Sequence, residues 1–198
     1  MGGSHRTHRG SARSLAVAAP TRLPARGFLV VGLSVAFAWR CASPNTGSPG
    51  DVVTGLYRVL IEHQVTGATT EGQLARLSPY LSDELRDLLH AAATLRDVEA
   101  AAHPNEKPPF ADGDLFSSLF EGPTSLIVLA NGDDGDPRGH LAVQFTHDRS
   151  TPAVTWTDTL VIGQQAGRPV VADVIYGGTR DFATRGPLLE TLRSALSE

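Results

Sequence analysis

One cysteine, Cys41, and one methionine, Met1, occur in the 198 residues. A single thiol excludes any intrachain disulfide, so the folded part must hold together through its core. Acidic residues are absent from the first forty positions, although the chain holds 21 of them. No long hydrophobic run is present either. The longest uncharged apolar stretch, residues 27–39 (GFLVVGLSVAFAW), falls short of the roughly 20 residues that a membrane-spanning helix needs. HExxH, GxSxG, P-loop and GxGxxG patterns are missing, which argues against familiar metalloprotease, hydrolase, nucleotide and dinucleotide mechanisms. No cofactor or metal is expected on these grounds.

The acid-free start carries Arg6, Arg9, Arg13, Arg22 and Arg26 ahead of that apolar stretch, then the small-residue triplet Ala36-Phe37-Ala38. A basic region, a short apolar core and a small-residue site make an export signal. Residues 1–38 are therefore expected to be cleaved, leaving a protein that works in the periplasm or is secreted. Cys41 lies where a lipoprotein carries its acylated cysteine. Trp39 and Arg40 before it are too bulky for the processing peptidase, so a free thiol is expected. A lipid on Cys41 is the alternative, and would anchor the protein to the membrane.

Removal of the leader leaves 12 basic against 21 acidic residues, a net charge of −9 in place of −4. Such a surface repels nucleic-acid phosphates and anionic headgroups. Nucleic acid is excluded as a partner; an envelope protein or a small molecule is expected instead. Contact with the membrane is expected only through the leader or a Cys41 lipid.

Residues 39–50 read as a linker, small and polar with two prolines, and residues 51–198 as one domain. Val52, Val53, Leu56, Leu60 and Ile61 form one helical stripe, with Asp51 placed to cap it and an end near Gln64. A short helix over residues 71–77 precedes Ser78-Pro79, a cap with proline at the first helical position. Leu81, Leu85, Leu88, Leu89, Ala92 and Leu95 then mark the longest helix, ending near Ala102. Asp114 is expected to cap a further helical turn bearing Leu115, Phe116, Leu119 and Phe120.

Four strands follow, over residues 125–130, 140–147, 153–162 and 170–176. The first two are joined by a turn-rich loop at 131–139. Pro187 opens a last helix with Leu188, Leu189, Leu192 and Leu196 on its stripe. Helices followed by hairpin-linked strands predict an α+β fold. Its helices should cover a curved, mainly antiparallel four-stranded sheet that curls into a cone with a pocket at the open end.

The block EKPPFADGDLFSSLFEGPTS at residues 106–125, with LSPYLS at 77–82 and VIYGG at 174–178 before Asp181-Phe182, resembles a family of uncharacterised exported or lipid-anchored bacterial proteins. The resemblance covers the chain from Asp51 onward. It implies an α+β fold similar to the nuclear-transport-factor-like cone and carries no assigned chemistry. Many members carry a lipid-bearing cysteine; Trp39 and Arg40 depart from that pattern. Cones of this type host enzymes, binding modules and scaffolds alike.

Among single residues, Asp158 is the most pointed. It shares a strand face with Val154, Trp156, Leu160 and Ile162, while Thr155, Thr157 and Thr159 fill the other. A carboxylate on an apolar face is costly without a partner. Asp158 is thus either a ligand anchor or proton acceptor, or a structural group paired with Arg58, Arg96 or Arg180 or turned outward by a bulge. Asp173, between Val171 and Ile175, repeats the pattern more weakly.

Asp112, Asp114 and Glu121 are candidates for a cation site or a pocket rim; as plain structure, they cap and turn the chain. Asn131, Asp133, Asp134 and Asp136 lack the closing glutamate of a calcium loop. His63, His90, His103, His140 and His147 have no metal-ligand spacing, and the last two should point to opposite faces. Tyr80, Trp156 and Tyr176 are candidate aromatic walls for a small ligand, or ordinary core. Exposure of Phe110, Phe116 and Phe120 together would mark a protein-docking patch.

The reading is an exported domain that binds a ligand or partner without turnover, through Tyr80, Trp156, Asp158 and Tyr176. The alternative is a small-pocket isomerase, dehydratase or hydrolase with Asp158 as general base and Tyr176 or Arg180 as the polarising group.

Overall fold

The computed structural model describes residues 47–129, 139–181 and 183–197. The leader, Cys41, most of the 131–139 loop and Phe182 lie outside them. Four helices and a five-stranded open antiparallel sheet make up the described part, so the α+β class holds. Among these residues no helix is long and apolar enough to cross a membrane.

Helix α1 spans Pro49–Glu62 and starts two residues earlier than the stripe suggests. Its cap is Ser48, not Asp51. Ser48 Oγ accepts the Asp51 N–H at 3.3 Å, and the Asp51 carboxylate accepts the Ser48 N–H at 2.8 Å, a reciprocal capping box. Pro49 fits the first turn because its missing N–H would have no partner there. The expected linker thus gives way to helix before residue 50.

Helix α2 spans Glu71–Leu77 and carries the same device, with Thr70 and Gln73 in the two roles. Ser78–Tyr80 is a 3-10 turn, and helix α3 (Asp83–Ala102) has its own cap in Ser82. Ser78-Pro79 therefore makes a separate turn and does not begin the long helix. The Ser82 N–H donates to Val171 O at 2.9 Å, and the Asp83 N–H to Gln165 Oε1 at 2.9 Å, which pins the start of α3 to the sheet.

Strands β1 (Ser125–Val128), β2 (His140–His147), β3 (Val154–Gln165), β4 (Arg168–Tyr176) and β5 (Gly186–Pro187) pair in chain order. The fifth strand is a two-residue addition to the expected four. It pairs Ile175 with Pro187 and Tyr176 with Gly186, and turns the chain directly into helix α4 (Leu188–Leu196). Two residues carry no alternation, so periodicity alone does not reveal such a strand.

Core side chains come from both layers: Val52, Val53 and Leu56 of α1, Leu85 and Leu89 of α3, Val143 and Phe145 of β2, Leu160 of β3, Leu188 and Leu192 of α4. Tyr57, Phe145 and Trp156 stack through this layer with ring centroids 4.7 and 5.6 Å apart. A bulge in β4, opposite the Val161–Ile162 step of β3, pairs Val161 with Asp173 and Ile162 with Val171, so Ala172 has no opposite number. Val171 thereby joins Val174 and Tyr176 on the buried side, and Asp173 turns to the other. There the Asp173 carboxylate accepts the Leu189 N–H at 3.0 Å, in the first turn of α4, whose own cap residue Pro187 has no side-chain acceptor. Burial raises the Asp173 pKa, against the pull of those backbone donors.

Candidate functional site

Residues 114–122 do not form the expected helical turn. The Asp114 carboxylate folds back on its own loop, accepting the Phe116 N–H at 2.8 Å and the Ser117 hydroxyl at 2.5 Å. The carbonyls that a helix would use are taken by tyrosines. Tyr57 of α1 donates to Phe116 O, and Tyr176 of β4 donates to Leu115 O at 2.6 Å. Burial raises the pKa of both phenols, with the charge of Asp114 adding to it, so both stay protonated donors. The result is a strap of irregular chain tied to a helix on one side and the sheet on the other.

Asp158 is the second tie. It is 1% exposed. One oxygen accepts the Ser118 N–H at 2.8 Å and the Trp156 indole N–H at 3.1 Å. The other accepts the Ser118 hydroxyl at 2.7 Å and the Gly177 N–H at 2.8 Å. A carboxylate offers about four acceptor directions, and here all four are used. None of the arginines expected as structural partners pairs with it. Arg96 donates to Ala68 O and pairs with Asp97, while Arg58 and Arg180 are exposed.

Asp114 has capacity to spare. With two donors on its two oxygens it retains about two open acceptor directions. It also lines a cavity of about 350 Å³, together with Tyr57, Leu60, Ile61 and Val65 on the helical side, Glu121 of the strap itself, and His147 and Arg149 at the end of β2. That volume lies at the small end of the roughly 300–1,000 Å³ typical of small-molecule sites. Burial pushes the Asp114 carboxyl up to about 7; the hydrogen bonds from Ser117 and Phe116 pull the other way, and the charge of Asp158 adds to the rise. A carboxyl poised near neutrality in a cavity is a recurrent mark of a functional site. His147 holds its place through Nδ1, 2.7 Å from Gly122 O.

The shifted acid has a consequence for stability. Its folded pKa lies above the unfolded value of about 3.9, so the folded state holds the proton more tightly and stability falls as pH rises between the two. Asparagine mimics the protonated group. Urea unfolding at pH 5 and pH 7.5 should show the wild type losing about 2 kcal/mol relative to Asp114→Asn over that interval. An unchanged gap between the two proteins would refute the assignment.

The candidate residues from the sequence are not gathered around one cavity. Trp156 and Arg180 line a neighbouring space of about 250 Å³ with Ser118, Gly177 and Gly178. Asp158 sits beneath that space with both oxygens occupied. Tyr176 is 6% exposed and spends its hydroxyl on the strap. Tyr80 packs on α1, where Gly55 leaves room for its ring: a Cβ there would lie 2.4 Å from Tyr80 Cε1. Phe110, Phe116 and Phe120 do not form one exposed patch. Phe116 is buried and Phe110 half-buried, whereas Phe120 is 54% exposed.

His140 and His147 fall on opposite faces of β2, paired with Val161 and Val154. No cluster of three metal-ligating side chains occurs among the described residues. Tyr57, His147 and Arg149 carry no motif, and only the fold brings them to Asp114. Comparison with family models, curated proteins and solved structures gives no match.

Proposed function

We propose that this chain is an exported binding domain that holds a small molecule in the cavity between α1 and the strap, with Asp114 as the recognition group. The observation that carries the proposal is the contrast between two carboxylates, Asp158 buried and Asp114 half-buried at the cavity wall. Asp158 has all its acceptor directions filled by protein, while Asp114 keeps two open and faces a cavity of about 350 Å³. Binding without turnover is favoured over general-base catalysis by Asp158, because that group would have to release one of four donors to take a proton. The cone-like curl of the sheet and the kinship with exported bacterial proteins belong to the same proposal.

The direct test is to titrate a panel of small amines, carboxylic acids, amino acids and sugars into isotope-labelled protein. Amide shifts of Phe116, Ser117 and Gly122 would be followed by NMR. Shifts centred on those residues with one class of compound support the cavity. A panel that leaves them in place, or moves only the surroundings of Trp156, overturns it. Export rests on residues 1–38, and the mass of the protein recovered outside the cytoplasm should correspond to a chain beginning at Trp39.

A further inference from the structure

Resting on that reading, we infer that the cavity beside Asp114 takes a zwitterionic α-amino acid with an aliphatic side chain. Glu121 and Arg149 both line this cavity, and neither has an ion-pair partner among the described residues. Arg58, Arg76, Arg168, Arg180 and Arg185 are likewise without an ion-pair partner among the described residues, but none of them lines this cavity. Two opposite charges on one cavity, not paired with each other, complement a molecule that carries both charges itself.

The remaining surfaces fit the same ligand. Leu60, Ile61 and Val65 of the helical wall suit a short aliphatic side chain. An ammonium group supplies three donors, which match the open directions of Asp114 and the carboxylate of Glu121. The ligand carboxylate is left for Arg149, whose planar fork pairs with two oxygens at once. A simple amine would leave Arg149 unused, and a simple acid would bring its charge towards Asp114 and Glu121.

Three probes of matched shape separate these cases: L-leucine, 3-methylbutylamine, which lacks the carboxylate, and 4-methylpentanoate, which lacks the ammonium. Calorimetric titration of the full chain at pH 7.5 should show leucine binding about tenfold tighter than either half. Arg149→Gln should lower leucine affinity to that of the amine and leave amine binding unchanged. Glu121→Gln should weaken leucine and the amine together. Both positions are exposed, so neither variant threatens the fold. Equal binding of leucine and either half overturns the zwitterion inference, even if the Asp114 amides shift. If leucine fails while another panel compound moves those amides, this inference falls and the binding reading stands. If nothing moves them, both fall.

Discussion

Asp158→Ala should destabilise the domain by about 4 kcal/mol, a large part of the 5–15 kcal/mol that a domain of this size usually has. The variant strands four donors at once: the Ser118 N–H and hydroxyl, the Gly177 N–H and the Trp156 indole. Each buried donor left without an acceptor costs about 1–3 kcal/mol, less where water enters. Asp158→Asn should still cost about 2 kcal/mol, because its amide turns two more donors towards donors already present. Urea denaturation checks both. A loss below about 1 kcal/mol for the alanine variant would show that the clamp contributes little, and would reopen the case for Asp158 as a working acid or base.

Gly177→Ala should produce the second large loss, about 3 kcal/mol. A Cβ at this position would stand 2.3 Å from Thr157 O and 3.4 Å from Thr157 C. Both are backbone atoms of a paired strand, so no flexible side chain can swing aside. Relief requires the chain at 177 to back away, which would break the Gly177 N–H bond to Asp158. Gly72 in α2 is the control. Nothing lies within 4 Å of its would-be Cβ, so Gly72→Ala should gain about 0.5–1 kcal/mol from helix propensity and a less floppy unfolded chain. Thermal melts of the two variants should move in opposite directions. A Gly177→Ala protein that melts with the wild type would mean that the strap and sheet are not locked at this point.

The helices and strands were largely legible from periodicity. The apolar stripe of α1 and the alternation of β2 and β3 follow from spacings of three and four or of two, set by backbone geometry alone. Departures arise where a local signal met a stronger tertiary one. Asp114 has the chemistry of a helix cap, yet Tyr57 and Tyr176 take the carbonyls of Phe116 and Leu115 and no helix follows. Strict alternation along β4 would set Val171 and Asp173 on one face, and a single unpaired residue, Ala172, undoes it.

By itself the sequence determined the class of elements, the side of β3 that carries Asp158 and the odd position of that carboxylate, because side-chain direction follows from strand period. It also determined the acid-free start on which the proposal of export rests. What only the tertiary structure decided is which carboxylate remains open. Three of the four donors that fill Asp158 come from Ser118, forty residues before it, and Gly177, nineteen after it. Arg149 reaches the cavity beside Asp114 from just beyond the end of β2. Hydrogen-bond capacity is a property of neighbours in space, and chain order does not encode it until the layers close.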